Sequence, residues 1–147
     1  FFNAQIMLAK RLNLPLIIHN RDASEDIFEI LVEKWLQNFV FHCFSQDYGF
    51  AKKLLDFAPQ CKLWFGGITT FKNAHDIHNT VQNIPLENII IETDSPYLTP
   101  TPYRGKEENE PLYTRYVLEK IIELRNENPE EIREAIFENS TAFFWLK

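Results

Sequence analysis

The sequence predicts an α/β fold in which about four parallel strands alternate with helices, as in one half of a (β/α)8 barrel of the TIM type. Short apolar runs without a polar face, such as residues 88–91, are typical of strands buried on both sides. Helical patterns separate these runs, which is the order that right-handed crossovers require. A complete barrel takes about 250 residues, whereas this chain has 147. Residues 1–147 are therefore expected to be the carboxyl-terminal half of a single barrel whose amino-terminal strands are absent.

An open, doubly wound sheet is the alternative architecture for the same order of elements. No glycine-rich phosphate turn follows any of the predicted strands, which counts against it. The half-barrel interpretation also has a disadvantage, because the first and last strands would have unpaired backbone edges.

The first half of the chain is predicted to contain three helices and two strands. Helical spacing of apolar residues places the helices at residues 3–12, 22–37 and 47–58. The strands lie between them, at residues 15–19 and 39–42. Asp22 and Glu25 have the spacing of a capping box, and Asp47 is a predicted N-cap. Trp35 is expected to face inward with the apolar side of the second helix.

The second half continues the alternation. Strands are predicted at residues 61–66 and 88–91, and helices at residues 73–82, 112–124 and from 129 onward, after the N-cap Asn128. Gly66 and Gly67 end a strand without a ligand side chain, which leaves room for a substrate or for close backbone approach. The proline-rich loop at residues 96–110 is longer than most connections and is suspected of function. Residues 143–146 are expected to close the chain as an apolar plug.

Composition excludes several classes of protein. The chain is 45% hydrophobic with a net charge of −6, which argues against a broad basic surface that grips nucleic acid. No apolar run approaches the roughly 20 residues that cross a bilayer, and no secretory signal is evident. Cys43 and Cys61 are too few for a disulfide framework, so reduced thiols and a cytoplasmic location are expected.

Three of the predicted strands end in residue types that bind metals. The strands finish at His19, His42 and Asp94, all at the same end. A lone histidine after an apolar run is more often a satisfied core residue, but three coincident strand ends favour a functional site. Glu92 and Asp94 would face the same side, since side chains alternate along a strand.

Five segments of the chain carry a family resemblance, and they keep the family's order. They are LPLIIHNRDA at 14–23, FHCFS at 41–45, FGGITTFKNA at 65–74, IETDSPYL at 91–98, and PYRGK at 102–106 followed by NEP at 109–111. In these segments the chain resembles the TatD family of metal-dependent deoxyribonucleases, which are amidohydrolase-like barrels. The resemblance runs over essentially the whole sequence.

The resemblance implies a metal-dependent hydrolase of phosphodiester bonds in DNA, often acting from a 3′ end. It implies that His19, His42 and Asp94 bind metal, with two divalent ions in the intact enzyme. Mg²⁺ is favoured, with Mn²⁺ or Zn²⁺ as alternatives, and RNA is the alternative substrate. The family's His-x-His strand and its bridging glutamate have no counterpart here, so the missing half is expected to complete the site.

The resemblance and the residue chemistry together suggest roles for five side chains. Asp94 would bind metal and accept a proton from the attacking water, and Glu92 would hold a histidine or that water. An equally favoured alternative makes Glu92 a core carboxylate satisfied by backbone or Ser/Thr donors. Arg21 and Arg104 are candidate phosphate-binding residues, and Lys72 is a weaker candidate. Each of these cations could instead pair with a surface acid.

Three aromatic residues near the strand ends, Phe71, Tyr97 and Tyr103, are candidates for stacking on bases, with packing against the barrel rim as the alternative. Two other functions stay open. The same scaffold could hydrolyse amides, lactones or aminoacyl esters. The fragment could also be non-catalytic, since alone it supplies at most three of the ligands that the site needs.

Overall fold

Four parallel strands form one sheet in chain order, β1-β2-β3-β4, and the computed structural model describes residues 1–144. The strands are β1 (Leu16–His19), β2 (Phe39–His42), β3 (Lys62–Phe65) and β4 (Ile89–Ile91). The helices are α1 (Phe2–Leu12), α2 (Ser24–Glu33), α3 (Tyr48–Phe57), α4 (His75–Asn83), α5 (Thr114–Leu124) and α6 (Pro129–Phe143). The predicted alternation of parallel strands and helices is confirmed. Within these 144 residues, no helix is long and apolar enough to cross a membrane.

The register of the sheet aligns the carboxyl ends of its strands. His19 on β1 lies opposite His42 on β2, and Phe65 on β3 lies opposite Ile91 on β4. Loops that leave these ends therefore start from one edge of the sheet, where side chains from distant parts of the chain meet.

The two faces of the sheet have separate cores. On one face, the larger cluster packs the strands against the helices and includes Phe41, Leu63 and Ile89, all nearly inaccessible. On the other face, Val40 and Ile90 pack with Phe143 at the end of α6, joined by Trp64 and Phe144. Phe143 and Phe144 thus pack as the predicted plug requires, and the remainder of that plug, residues 145–146, lies outside the described residues.

Apolar side chains next to β1 stay exposed. Ile17 is 52% exposed although it sits in the middle of its strand. Leu14, just before β1, is also exposed, as are three residues of α1: Met7, Leu8 and Leu12. Residues 1–144 leave this apolar edge uncovered.

The structure tests the local capping predictions. Asp47 accepts a hydrogen bond from the Phe50 amide at 2.8 Å, and Asn128 accepts one from the Glu130 amide at 2.9 Å, so both N-caps are confirmed. The capping box at Asp22 is wrong: Asp22 has a positive φ of 56° and α2 begins at Ser24. Within residues 1–144, no side chain replaces it: the N-cap is Ala23, and Asn20 accepts a hydrogen bond from the Ala23 amide at 3.2 Å in the turn before the helix.

The inward placement of Trp35 is also wrong. Trp35 lies beyond the end of α2, has a positive φ of 50° and is 65% exposed. The helical spacing that suggested burial continues in the sequence for two residues after the helix itself has ended.

Close backbone approach explains the glycine after β3. A Cβ atom at Gly67 would lie 1.7 Å from the carbonyl oxygen of Leu98, in the loop that follows β4. Of the two alternatives for the paired glycines, close approach is therefore correct at Gly67. The long loop can rest on the end of β3 only because no side chain is there.

Replacing Gly67 with alanine is expected to lower the free energy of unfolding by at least about 3 kcal/mol, since a backbone carbonyl cannot swing aside as a side chain can. Gly105→Ala is the matched control. Nothing lies within 4 Å of a Cβ at Gly105, so only its positive φ of 74° adds strain, about 1–2 kcal/mol. Urea unfolding followed by circular dichroism measures both. Equal losses in the two variants would contradict the packing explanation.

Candidate metal centre

The structure brings four of the predicted site residues to one edge of the sheet. The rings of His19 and His42 have centroids 5.7 Å apart. Nε2 of His42 lies 3.5 Å from Oδ1 of Asp94, and Nδ1 of His42 contacts Oε2 of Glu92. The two imidazoles and two carboxylates therefore form one cluster, although 75 positions separate His19 from Asp94.

Asp94 reaches His42 by a different route from the one predicted. β4 ends at Ile91, and the pairing extends only one residue further, where the Glu92 amide donates to the Phe65 carbonyl at 3.0 Å. Asp94 has a positive φ of 57° and belongs to a turn. Strand alternation therefore explains the direction of Glu92, whereas the turn determines the direction of Asp94.

Left-handed backbone recurs where candidate ligands leave the sheet. Positive φ angles occur at Asp22 after β1, Cys43 after β2 and Asp94 after β4, with values of 56°, 49° and 57°. Non-glycine residues adopt this conformation uncommonly, and such residues cluster at functional sites. All three turns lie within three residues of a strand end.

Glu92 is a buried carboxylate that holds a histidine. It is 8% exposed; Oε2 contacts Nδ1 of His42, and Oε1 accepts a hydrogen bond from the Cys43 amide at 2.7 Å. Burial raises the pKa of Glu92 to about 7, although the neighbouring His42 and the Cys43 amide lower it. Both readings of Glu92 are partly correct, because it holds a histidine and also takes a backbone donor.

Gly66 gives Glu92 its path to His42. Gly66 follows Phe65, so it lies beside Glu92 in the parallel register, between β4 and β2. A Cβ at Gly66 would be 3.3 Å from Cγ of Glu92, which is tighter than ordinary van der Waals contact. The empty end of β3 thus lets a carboxylate on β4 reach a histidine on β2.

The donor atoms fit a divalent cation. The contact with Glu92 occupies Nδ1 of His42, which leaves Nε2 on the side of Asp94. Two ligand atoms that each lie about 2.0–2.2 Å from one ion are about 3–3.5 Å apart. The observed 3.5 Å between Nε2 and Oδ1 agrees with that spacing.

The ligand set is nevertheless incomplete in this part of the protein. Within residues 1–144, no group of three or more His, Cys, Asp or Glu side chains is arranged closely enough to hold a metal ion. His19 is exposed at the outer edge of the sheet, beside the uncovered apolar surface of β1. Residues 1–144 therefore bring His42 and Asp94 together without a third side chain in a geometry suited to one ion.

Cys43 is not suited to be a nucleophile. Burial, together with the negative charges of Glu92 and Asp94, raises the pKa of its thiol to about 12, so the thiolate is scarce at neutral pH. The Cys43 side chain is only partly buried. Its contribution to the site is the backbone amide that binds Glu92.

Asn109 fixes the turn that carries Asp94, a role that the sequence did not reveal. Its side-chain amide donates to the Thr93 carbonyl and, at 2.7 Å, to the Tyr97 carbonyl. Its backbone amide donates to the Pro96 carbonyl at 3.1 Å. Asn109 is 5% exposed, and within residues 1–144 its side-chain oxygen has no hydrogen-bond partner. The only signal in the sequence was an asparagine inside the proline-rich motif.

The three candidate phosphate-binding residues lie on loops that leave the same edge of the sheet. Arg21 follows β1, Lys72 follows β3 and Arg104 follows β4, and all three are exposed. In the described part of the chain, none of them makes an ion pair, so pairing with a surface acid is not observed. None is hydrogen-bonded to the histidine and carboxylate cluster.

The candidate stacking residues differ in their surroundings. Phe71 is buried beneath the guanidinium of Arg104, whose central carbon is 3.6 Å from the ring centre. Tyr103 is stacked on Tyr113, with centroids 4.6 Å apart. Packing against neighbouring side chains, the alternative to base stacking, is therefore observed for Phe71 and Tyr103. Tyr97, by contrast, is 72% exposed.

A family model described as TatD related DNase matches residues 1–145. The chain is 45% identical over 145 residues to the uncharacterized metal-dependent hydrolase YabD of Bacillus subtilis. It is 39% identical over 147 residues to the uncharacterized metal-dependent hydrolase YcfH of Escherichia coli K12. These matches cover 97% and 99% of the chain but 56% and 54% of the two relatives. The chain therefore spans a little over half the length of the relatives it matches.

Solved structures agree with the sequence relatives. The fold superposes on the crystal structure of YJJV, a TatD homologue from Escherichia coli, with a TM-score of 0.89 at 28% identity, covering 97% of this chain and 54% of that one. A TatD family hydrolase from Entamoeba histolytica matches with a TM-score of 0.84 at 17% identity, a likeness that concerns the fold alone. The four strands and their helices have the arrangement found in these proteins.

Asn109→Ala is expected to lower the free energy of unfolding by about 1–3 kcal/mol, because two partly buried carbonyls lose their donor. Hydrogen exchange at the Tyr97 amide, which donates to the Asp94 carbonyl at 2.9 Å, should become faster. Urea unfolding and exchange mass spectrometry measure the two effects. The control is Asn79→Ala on the exposed face of α4, for which a change within about 0.5 kcal/mol is expected. Similar losses in both variants would contradict the role of Asn109.

Proposed function

The chain belongs to the TatD-related DNase family, and from that membership we propose that it is the carboxyl-terminal half of a metal-dependent hydrolase that cleaves phosphodiester bonds in DNA from the 3′ end. One observation carries the proposal. His19, His42 and Asp94 meet at the carboxyl edge of a parallel sheet, with Glu92 buried against His42. Barrel enzymes of this type place their chemistry at that edge.

The half-barrel part of the proposal is supported by the uncovered surface at β1. Ile17 in mid-strand and Leu14 before it are exposed. Further strands that pair along β1 and β4 would cover this surface and close the sheet. The proportion of each relative that the chain spans is consistent with a missing half of similar size.

His19, His42 and Asp94 would hold divalent metal, for which two ions, Mg²⁺ in preference to Mn²⁺ or Zn²⁺, are proposed. When bound, the ions supply Lewis acidity, which polarises a phosphoryl oxygen and lowers the pKa of water towards neutrality. His42 is suited to this role because Glu92 engages Nδ1 and leaves Nε2 available. The missing half would contribute the remaining ligands.

The side chains of this half have distinct tasks in hydrolysis. Asp94 accepts the proton of the attacking water, and Asn109 keeps the Asp94 turn in place through the Thr93 carbonyl. Glu92 fixes the orientation of His42, as carboxylates do for ligating histidines. Arg21 and Arg104 bind phosphate oxygens through the N–H edges of their guanidinium groups, which leaves the outer planar face of Arg104 unused, and Lys72 adds a further positive charge.

Asp94→Asn in the full-length protein is expected to lower kcat on single-stranded DNA by about 10²–10⁴-fold, because the amide can neither accept the proton nor replace an anionic ligand. Asp56→Asn is the matched control: Asp56 pairs with Lys52 on the exposed side of α3, and its loss should leave kcat unchanged. Steady-state kinetics with Mg²⁺ on DNA and on small amides or esters measure the effect. Cleavage of the small molecules without cleavage of DNA would refute the proposed nuclease activity.

The isolated 147 residues are expected to bind Mg²⁺ or Mn²⁺ weakly and to have little activity, since residues 1–144 contain no closely arranged group of three ligands. Isothermal titration calorimetry with Mn²⁺ should give a dissociation constant far above micromolar for this fragment. The full-length protein should bind more tightly, and chelation should abolish its turnover. Micromolar retention of metal by the fragment, with turnover, would show that this half is sufficient.

A further inference from the structure

We propose that Arg104, lying on Phe71, forms a binding site for one unpaired nucleobase of the substrate strand. This inference rests on the proposed function and adds a base-binding subsite to it. The guanidinium would be held between the phenyl ring and the base, in a stack of three planar groups.

The geometry of the pair leaves one face of Arg104 free. The central guanidinium carbon lies 3.6 Å from the centre of the Phe71 ring, which is van der Waals contact and requires the planar group to lie roughly parallel to the ring. Phe71 is only 9% exposed, so its position is fixed by the core. Arg104 itself is exposed, and within residues 1–144 no carboxylate pairs with it.

The loop that carries Arg104 is anchored to the chain around Phe71. The Thr101 amide donates to the Thr70 hydroxyl at 2.8 Å, and the Thr70 hydroxyl donates to the Gly67 carbonyl at 2.8 Å. These bonds join the loop after β4 to the turn after β3. The stack is therefore positioned before any ligand binds, which lowers the entropic cost of binding.

Arg104 and Phe71 separate two clefts of suitable size. One has a volume of about 500 Å³ and is lined by Pro96, Leu98 and Thr99 in addition to the pair. The other has a volume of about 480 Å³ and reaches Ser45 on the loop after β2. Both volumes fall in the range of small-molecule sites, and the apolar lining of the first cleft suits the flat face of a base.

The charges around the pair favour a base as the ligand of the free guanidinium face. Glu107 and Glu108 line the first cleft together with Lys106, and Asp76 lines the second. With the chain at a net charge of −6, counterion release can contribute little here. Stacking does not depend on net charge, because every base has a π-face.

The second cleft reaches the loop that follows β2. Ser45, which lines this cleft, comes three residues after His42 in the sequence. A strand whose base lies on Arg104 would therefore lie at the same edge of the sheet as the candidate metal ligands. A paired base inside a duplex offers no free face, so the stack selects single strands and frayed ends.

Binding without turnover tests the proposal. Full-length protein in EDTA is titrated against a fluorescently labelled single-stranded DNA of about ten nucleotides, and against the same strand with abasic sites placed one at a time. Fluorescence anisotropy gives the dissociation constants. In the wild type, one abasic position is expected to weaken binding about tenfold.

Three variants separate stacking from charge. Arg104→Lys keeps the charge but loses the planar face, so the abasic and intact strands should bind equally, with an unchanged dependence on salt. Phe71→Leu should reduce the abasic effect as well, since the guanidinium loses its support. Arg115→Lys is the control. Arg115 also lies over an aromatic ring, that of Tyr116, but it belongs to α5 and lines neither cleft. The tenfold abasic effect should therefore persist in this variant.

The outcomes are distinguishable from those of the proposed function. Equal binding of intact and abasic strands by the wild type, or an undiminished abasic effect in Arg104→Lys, would overturn the base site. Cleavage of DNA by that same wild-type protein would leave the nuclease proposal standing. An abasic effect that depends on Arg104 in a protein that cleaves no DNA would support the base site and reject the nuclease.

Discussion

The contact between Glu92 and His42 is the interaction on which the site depends, and it crosses an entire strand. Glu92 belongs to the end of β4 and His42 to the end of β2, so the carboxylate must pass over β3. It can do so because β3 ends in two glycines. Gly66 leaves space for the Glu92 side chain, and Gly67 leaves space for the Leu98 carbonyl. β3 therefore contributes empty space to the site, and its neighbours contribute the chemistry.

The same constraint explains why the loop after β4 is long and internally bonded. Asp94 has left the strand and entered a left-handed turn, a conformation that needs support from its surroundings. Asn109 provides that support from 15 positions further along, and the loop between them rests on Gly67. The position of the Asp94 carboxylate is thus determined by contacts at both ends of the loop, one to its own chain and one to β3.

Local sequence patterns predicted the strands and the N-caps at Asp47 and Asn128, because each depends on residues within a few positions. They failed where tertiary contacts decide. Asp22 lies in a left-handed turn before α2 and does not cap it, and Trp35 lies past the end of α2 and is exposed. The meeting of His19, His42 and Asp94 was predictable because parallel strands share one edge. A contact of Glu92 with a histidine was one of the predicted alternatives. That the histidine is His42, 50 positions away and reached past a glycine on a third strand, is not revealed by local spacing.

A polyanionic substrate poses an electrostatic problem for this chain. Glu92 and Asp94 would repel a phosphodiester at the very place where hydrolysis is proposed, and the whole chain is acidic. Bound cations would reverse the local charge, so the proposed metal ions would strengthen substrate binding as well as supply the chemistry. In the proposed base site, Arg104 on Phe71 would offer a second contact of a different kind, from its planar face to a base. Stacking on a base does not depend on the sign of the surrounding charge. An acidic protein could therefore hold one nucleotide by its base while bound metal ions hold the next by its phosphate.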